Sequence, residues 1–332
     1  MKIDRQIAKY HNKIFVADLH ADTLMWMAPT AYDMLERHRP LLPLSPIRNH
    51  IDIPRMKEGG VNLQAFGIVT NYWFNKKKTA DKQLKQLDDL VKKSKDLEWA
   101  LTGEDAEKIW KSGKIGVFAG MEGAHPLEGK IENLEHFYNK GVRYLGLAHF
   151  KNTEAAPSST SLNGANKPLS PFGEELISAM DELGIIIDLA HAGYRSFIEA
   201  AEYTSNPVIV SHTGVCGRYE SKRNINDEQI RAVAKTGGVI GVMFHPFFLN
   251  GKLRGSVDDV IDHMDHIRGL VGPDHISLGS DFDGFITLPR EMRDVSDLPA
   301  ITQRLYERGY SEEDIKKVMG GNFLKVYKQV CR

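Results

Sequence analysis

The side chains that could carry chemistry are imidazoles and carboxylates that follow short apolar runs. His20 and Asp22 form a His-x-Asp triplet directly after the run 14–19. Because side chains alternate along an extended chain, residues two apart point to the same side, so this pair could ligate one metal ion. Further groups of this kind stand at the ends of other apolar runs: Glu122, His149, His191, His212 and Asp281.

Such groups suit hydrolysis by a metal ion, which needs imidazole and carboxylate ligands and a coordination position left for water. Each residue alone has an ordinary explanation. A single histidine after a strand is usually a packed core residue, Glu122 could cap a following helix, and a His-x-Asp triplet arises by chance. The recurrence of seven such groups at the ends of six runs indicates one shared site.

The runs themselves predict the elements that would position these groups. Short β-branched apolar runs alternate with longer amphipathic segments, a pattern typical of βα units around a parallel sheet. Eight strands with crossover helices close a barrel, so we predict an α/β fold, a TIM-like (β/α)8 barrel, as one catalytic domain over residues 1–332. The predicted strands are 14–19, 61–68, 115–120, 142–148, 185–189, 208–210, 239–244 and 276–279.

Helical spacing predicts helices over 81–97, 174–183, 227–235 and 257–270. Asn226 with Gln229 predicts a capped helix start, and Gly184 and Gly237 stand where helices should end. Two long segments, 29–54 and 152–171, interrupt the alternation with proline, serine and asparagine, and both are candidates to shape a pocket at the barrel mouth. The lysines at 76–78 are predicted to form a solvated turn.

Bulk properties exclude several classes of partner. The 332 residues are 42% hydrophobic and 26% charged with a net charge of −1, so no basic field attracts nucleic acid or an anionic membrane. Two cysteines are too few for a disulfide framework. Residues 1–13 contain no apolar core of a signal peptide, so we expect a cytoplasmic protein. The oligomeric state stays open, a homodimer included.

The motifs together resemble the membrane dipeptidase (renal dipeptidase) family of zinc peptidases, in its soluble bacterial form. The similarity extends from about residue 14 to the Asn-Phe-Leu at 322–324, and the motifs follow the family's order. They are Asp-Leu-His-Ala-Asp at 18–22, Met-Glu-Gly-Ala-His at 121–125, Leu-Ala-His-Phe-Lys-Asn-Thr at 147–153, Asp-Leu-Ala-His at 188–191, Pro-Val-Ile-Val-Ser-His at 207–212, Arg-Asn at 223–224 and Gly-Ser-Asp-Phe-Asp-Gly at 279–284.

The resemblance implies two zinc ions, with Glu122 and a water or hydroxide as bridges. His20 and Asp22 would bind one ion, and His191 and His212 the other. It further implies that His149 holds the scissile carbonyl and its oxyanion, that Arg223 binds the substrate carboxylate and that Asp281 takes the proton of the nucleophile. The implied activity is hydrolysis of dipeptides, including those with a C-terminal D-residue.

Two departures from the family pattern leave side-chain preference open. The segment after His149 reads Lys-Asn-Thr-Glu-Ala-Ala-Pro at 151–157 where many members have a Trp-Ala-Asp type sequence, and Met-Phe-His at 243–245 replaces an Asn-Phe-Tyr type strand end. Another amidohydrolase on the same metal site, an N-acyl amino acid deacylase or a lactamase, is the alternative. A metal-free binding barrel is a further one.

The remaining polar candidates have less specific signals. His125, His263 and His266 are predicted to serve packing or solvent contact, and Asp188 lies too deep in its strand to be a first choice. His245 follows the seventh strand, but no partner residue identifies its role. Asp283 is predicted to orient the loop that carries Asp281.

Overall fold

The structure, a computed structural model, describes residues 3–38, 49–162 and 165–332. Its strands are short and parallel, and all but β3 are buried along their whole length, as expected where helices cover a parallel sheet. In the described ranges the strands are β1 Ala17–Asp18, β2 Leu63–Ile68, β3 Leu97–Trp99, β4 Ile115–Met121, β5 Val142–Gly146, β6 Ile186–Asp188, β7 Ile209–Thr213, β8 Val239–Val242 and β9 Ile276–Leu278.

Eight of these strands form a closed barrel. β1 pairs with both β2 and β9, β2 pairs with β4, and each strand from β4 to β9 pairs with the next. β3 stands outside the ring and pairs only with the start of β4, Leu97 opposite Ile115. The predicted (β/α)8 barrel is confirmed, and each of the eight predicted runs overlaps one barrel strand.

Helices flank the barrel and connect its strands. Over the described residues they are α1 Arg5–His11, α2 Leu24–Thr30, α3 Ile53–Glu58, α4 Lys76–Lys93, α5 Gly103–Lys111, α6 Glu132–Tyr138, α7 Pro171–Leu183, α8 Tyr194–Tyr203, α9 Asp227–Lys235, α10 Pro246–Asn250, α11 Val257–Val271, α12 Pro299–Glu307, α13 Glu312–Lys316 and α14 Asn322–Val330. None of them is both long and apolar enough to cross a membrane.

The predicted helix start at Asn226 and helix end at Gly184 are confirmed, but the turn predicted at residues 76–78 is wrong. Asn226 and Gln229 form the reciprocal hydrogen bonds that start α9, and Gly184 ends α7 in the left-handed conformation. The lysines at 76–78 begin α4 and do not form a turn. The predicted helix over 81–97 ends at Lys93, and its last residue, Leu97, begins β3.

The barrel interior is closed at one end and open at the other. Phe118 of β4 lies inside the barrel, with ring centroids 5.9 Å from Phe323 and 4.8 Å from Tyr327 of α14. The same apolar cluster includes Ile209 and Val239, the first residues of their strands. Helix α14 therefore covers the amino ends of the strands and leaves the carboxyl ends for a site.

A buried ionic network fixes the segment that follows β1, of which residues 39–48 lie outside the described residues. Arg55 of α3 is fully buried and donates to Asp52 (Nε–Oδ2, 2.6 Å), to the Tyr32 hydroxyl and to the carbonyl of Asn49 (both 2.9 Å). Its Nη1 also lies 3.1 Å from the carboxylate of Asp294. The network joins the segment after β1 to the segment after β9.

We expect Arg55→Met to lower the free energy of unfolding by about 3–5 kcal/mol, because the carboxylates of Asp52 and Asp294 lose their buried counter-ion. Arg37→Met is the control, since Arg37 and its partner Glu58 are both about half exposed and such pairs contribute less than about 1 kcal/mol. Urea denaturation of both variants measures the difference. Equal losses would show that the buried network is not specially stabilising.

Candidate metal centre

Five predicted ligands converge at the open end of the barrel. Nε2 of His20 lies 3.1 Å from Oδ1 of Asp22 and 3.8 Å from Oε1 of Glu122. The same Oε1 lies 3.0 Å from Nε2 of His191 and 3.3 Å from Nε2 of His212. These residues end β1, β4, β6 and β7, and the carboxyl ends of parallel barrel strands share one mouth.

Glu122 is central to this cluster. In the described part of the chain, three groups of three side chains place potential ligand atoms within 4.8 Å of one another: His20, Asp22 and Glu122; Glu122, His149 and His191; and His20, His212 and Asp281. Two of the three groups contain Glu122, whose Oε2 is buried and has no hydrogen-bond partner there. A carboxylate in this position can reach two ions.

Arg223 lies beside the cluster, in a cavity of about 240 Å³ that His191 also lines. The guanidinium is buried, and its one side-chain hydrogen bond to the described residues runs from Nη2 to the carbonyl of His212 (2.6 Å). No carboxylate of those residues lies within ion-pair distance of it. Ser159 and Ala165 also line the cavity, so the predicted loop 152–171 does shape it, apart from residues 163–164, which are not described.

The loop after β9 places Asp281 through a strained backbone. Asp281, Asp283 and Phe285 all have positive φ (61°, 67° and 60°), which L-residues rarely adopt. The carboxylate of Asp283 holds this loop as predicted, because it accepts hydrogen bonds from the backbone N–H of His50 (2.7 Å) and the hydroxyl of Thr23 (2.6 Å). These contacts stabilise a conformation that would otherwise be unfavourable.

Hydroxyl groups set the orientation of two of the histidines. The hydroxyl of Tyr144 donates to the carbonyl of Leu19 (3.0 Å), so it accepts the Nδ1–H of His20 (2.7 Å). This hydrogen bond occupies Nδ1, so Nε2 is the nitrogen of His20 that faces the cluster and can ligate an ion. The hydrogen bond therefore prepares His20 to act as a ligand.

Ser211 does the same for its neighbour His212. Its hydroxyl donates to Oδ2 of Asp188 (2.6 Å) and accepts the Nδ1–H of His212 (2.9 Å). Asp188 in turn receives two backbone N–H groups, those of Ala190 and Ser211. In contrast, the Nδ1 atoms of His149 and His191 are buried and have no such partner among the described residues.

The carboxylates crowd negative charge into a buried volume. Burial raises the pKa of Glu122, and the carboxylate of Asp22 raises it further. Burial and Asp22 likewise raise the pKa of Asp281 to about 8. Burial lowers the pKa of His20, but Asp22 and Glu122 outweigh it and raise the value to about 10. All three shifts show that the cluster favours an additional positive charge.

The other imidazoles stay neutral. Burial lowers the pKa of His149, His191 and His212 well below the ordinary value, and neighbouring cations lower it further. A neutral imidazole is the form that binds a metal. Neutral nitrogen donors and excess carboxylate charge fit divalent cations, so the residues present match the metal site that the sequence predicts.

Glycines leave the space that this arrangement needs. A Cβ at Gly67 of β2 would lie 2.3 Å from Oδ1 of Asp22, and one at Gly284 would lie 2.3 Å from Oδ1 of Asp281. Both distances are far below van der Waals contact. Neither carboxylate could keep its position beside a larger residue.

The remaining predicted candidates lie outside the cluster. His125 contacts Thr70 (2.8 Å), and His266 pairs with Asp227 (2.7 Å), so packing and solvent contact describe them. His263 accepts from the N–H of Val215. Nδ1 of His245 faces the N–H of Thr287 at 3.3 Å, and burial lowers the pKa of His245 to about 4.

Comparison with known protein families shows which family the chain belongs to. The model of the family described as membrane dipeptidase (peptidase family M19) matches residues 4–332. The chain belongs to the membrane dipeptidase family. As a member it is a hydrolytic metallopeptidase, and the resemblance predicted from the motifs is confirmed.

Two fungal proteins named as dipeptidases are similar in sequence to this chain. An uncharacterized dipeptidase of Schizosaccharomyces pombe is 32% identical over 302 residues, which cover 85% of this chain and 73% of that protein. Dipeptidase tcpJ of Claviceps purpurea is 34% identical over 235 residues, which cover 70% of this chain. That match spans little more than half, 55%, of the Claviceps protein.

Solved structures share the fold of this membrane dipeptidase-family chain. A metallopeptidase from Rhodobacter sphaeroides, liganded with a phosphinate mimic of the dipeptide L-Ala-D-Ala, aligns with a TM-score of 0.85 at 23% identity over 96% of this chain and 99% of its own. An amidohydrolase from Pseudomonas aeruginosa aligns with a TM-score of 0.83 at 24% identity over 98% of both chains. These likenesses support the barrel architecture.

Sequence reasoning missed three residues of this membrane dipeptidase-family site: Tyr144, Ser211 and Gly67. A repeated pattern could have indicated Ser211. In two places an aspartate at the end of one strand accepts a hydrogen bond from a serine, and that serine comes directly before a site residue. Asp188 binds Ser211 before His212, and the carboxylate of Asp18 accepts from the Ser280 hydroxyl (2.7 Å) before Asp281. No sequence signal indicated that Tyr144 of β5 reaches His20 after β1.

We expect Tyr144→Phe to bind divalent metal about 10- to 100-fold more weakly, because His20 loses the acceptor that fixes its tautomer. Tyr327→Phe is the matched control, since the Tyr327 hydroxyl is also buried and also donates to a backbone carbonyl, that of Ala100, at the closed end of the barrel. Competition with a chelator measures the affinity of each variant. Unchanged affinity in Tyr144→Phe would contradict the role given to this hydroxyl.

Proposed function

We propose that this chain is a dinuclear zinc dipeptidase that hydrolyses the peptide bond of dipeptides with a free C-terminal carboxylate. The observation that carries the proposal is Arg223, a buried guanidinium with no carboxylate partner among the described residues, beside a cluster of metal-competent side chains. A buried charge requires a counter-charge. A substrate whose carboxylate lies close to the scissile bond would provide it.

The proposed ligands divide between two zinc ions. His20 and Asp22 would hold one, His191 and His212 would hold the other, and both would share Glu122 and a water or hydroxide. Glu122 forms one ligand group with His20 and Asp22, and its Oε1 lies 3.0 Å and 3.3 Å from Nε2 of His191 and His212, which supports this division. Two zinc ions bound there would supply a nucleophile at neutral pH and polarise the scissile carbonyl.

Three side chains of the protein act on the substrate in this proposal. Arg223 forms paired hydrogen bonds with the terminal carboxylate and so places the peptide bond over the cluster. Asp281, whose carboxylate lies near His20 and His212, accepts the proton of the nucleophile and passes it to the leaving amine. His149 donates a hydrogen bond to the carbonyl oxygen as charge develops there.

The family favours dipeptides, and we extend the proposal to those with a D-residue at the C-terminal position. The Rhodobacter sphaeroides metallopeptidase is liganded with a mimic of L-Ala-D-Ala, which supports this extension. In this chain the terminal carboxylate, and not the configuration of the last residue, is what Arg223 would recognise.

An N-acyl amino acid deacylase is the alternative that Arg223 also allows, because an N-acyl amino acid has a carboxylate in the same place. A panel of substrates decides between them. We expect the zinc-loaded protein to hydrolyse L-L and L-D dipeptides and to leave their N-acetylated and C-amidated counterparts intact. Hydrolysis of N-acetylated amino acids or of a lactam, without hydrolysis of dipeptides, would refute the dipeptidase proposal.

We expect Arg223→Ala to raise KM for dipeptides about a hundredfold with little change in kcat, because charge-assisted hydrogen bonds to the bound carboxylate are lost. Arg218→Ala is the control, since Arg218 is exposed and pairs with Asp262. Steady-state kinetics of both variants measure the effect. An unchanged KM in Arg223→Ala would mean that the terminal carboxylate of the dipeptide does not bind to Arg223.

A further inference from the structure

Exposed apolar side chains are frequent in the segments that follow the carboxyl ends of the barrel strands, and together they are called the apolar rim here. Ten large apolar side chains are exposed in the described residues, and two of them, Tyr203 and Tyr306, lie on the outer helices α8 and α12. The other eight lie in the segments that follow β1, β2, β5, β8 and β9. They are Leu35, Trp73, Phe74, Phe150, Leu162, Phe247, Leu253 and Phe285.

Phe150 connects this apolar rim to the metal centre. Its ring is 52% exposed, and its centroid lies 4.5 Å from that of His149 and 5.0 Å from that of His191. Both imidazoles have Nε2 within 3.3 Å of Oε1 of Glu122. A ligand group placed over these histidines would therefore touch the face or edge of an aromatic ring.

Phe285 is an aromatic residue at the strained loop of Asp281. It keeps a φ of 60° and leaves 59% of its side chain exposed, although an unstrained backbone is available to a solvent-exposed residue. Its ring packs edge-on against Trp26 at 4.8 Å, and Nε1 of Trp26 donates to the carbonyl of Asp283. Strained backbone is often retained at functional sites, so Phe285, four residues after Asp281 in the same loop, is a candidate for a substrate contact.

Lys151 is a cation close to these exposed apolar side chains. Nζ of Lys151 lies 3.9 Å from the centroid of the Trp73 ring, so its charge is located over that ring. Lys76 pairs with Glu154. Phe150 therefore adds an apolar surface beside His149 and His191, whereas the cations Arg223 and Lys222 line the cavity next to His191.

We infer that this enzyme selects dipeptides in which at least one side chain is aromatic or large and aliphatic, and that Phe150 is the main residue that contacts this side chain. Phe285 provides a second apolar contact from the Asp281 loop. Burial of such a side chain against aromatic rings is favourable in proportion to the apolar area removed from water. The inference rests on the dipeptidase function proposed above and names its substrate class.

The test compares kcat/KM for Ala-Ala, Ala-Leu, Ala-Phe, Phe-Ala, Ala-Asp and Asp-Ala in the zinc-loaded wild type and in three variants. We expect the wild type to prefer a Leu- or Phe-containing dipeptide over Ala-Ala by about tenfold or more. Phe150→Ala should remove most of this preference and Phe285→Ala part of it, so that the ratio of kcat/KM for Leu- or Phe-containing dipeptides to that for Ala-Ala falls. Tyr203→Ala, equally exposed but on α8, should leave it unchanged.

The outcomes separate this inference from the function on which it rests. Hydrolysis of Ala-Ala without a preference for large side chains, or a preference for Asp-containing dipeptides, would overturn the inference alone. A preference that survives both phenylalanine substitutions would also overturn it. Absence of hydrolysis of every dipeptide by the zinc-loaded wild type would refute the dipeptidase function, and the inference with it.

Discussion

Asp281→Asn is expected to lower kcat about a thousandfold while the protein keeps its metal and its fold, because asparagine has the shape of aspartate but cannot accept a proton. The carboxylate is buried at the mouth of the barrel, and hydrogen bonds of Asp283 to His50 and Thr23 hold its loop. Transfer of one proton to and from a fixed carboxylate is the step that the substitution removes.

The measurement combines kcat with the metal content of the purified variant. Asp274→Asn is the control, since Asp274 is a surface carboxylate paired with Lys317. Because Asp281 also belongs to a group that could hold a metal with His20 and His212, metal content is decisive. Loss of metal together with activity would make Asp281 a ligand and contradict its proposed role in proton transfer.

Glu122→Gln is expected to abolish both metal binding and activity, the largest effect of any single change. Oε1 of Glu122 lies within 3.8 Å of Nε2 of four histidines, and no other carboxylate belongs to two ligand groups among the described residues. Glutamine keeps the shape but replaces one oxygen by an N–H₂ group that cannot ligate, and it removes the negative charge. Both proposed ions lose a ligand at once.

Metal analysis and thermal melting of metal-free protein check this expectation. The metal-free Glu122→Gln variant should melt at or above the temperature of metal-free wild type, because a carboxyl group whose charged form is disfavoured by burial and by the Asp22 carboxylate has been removed. That result separates loss of metal from loss of fold. A variant that keeps both ions and measurable turnover would contradict the bridging position of Glu122.

The sequence indicated which side chains come together because a parallel barrel has a simple rule. The carboxyl ends of all its strands meet at one mouth, so polar residues that directly follow apolar runs come together even when they are far apart in the chain. His20 and His212 illustrate this, with ring centroids 4.0 Å apart across 192 positions of sequence. The rule needs only approximate strand ends, and each of the eight barrel strands lies in its predicted run or extends past it by no more than three residues.

What sequence reasoning missed depends on contacts across the barrel or on short elements. Tyr144 contacts His20 through the barrel interior, and such a pair leaves no local pattern. β3 has three residues and pairs with Ile115 to Val117, so it was missed, and its first residue, Leu97, was assigned to the end of a helix. The lysines that begin α4 were read as a turn because their charge hides the amphipathic pattern that continues to Lys93.

The measurement that tests the central proposal most directly is a crystal structure of the zinc-loaded protein with anomalous data collected at the zinc edge. The proposal predicts two anomalous peaks, one beside His20 and Asp22 and one beside His191 and His212, with Glu122 between them. A single peak, or two peaks that leave Glu122 without a metal contact, would contradict a dinuclear centre built on these five side chains.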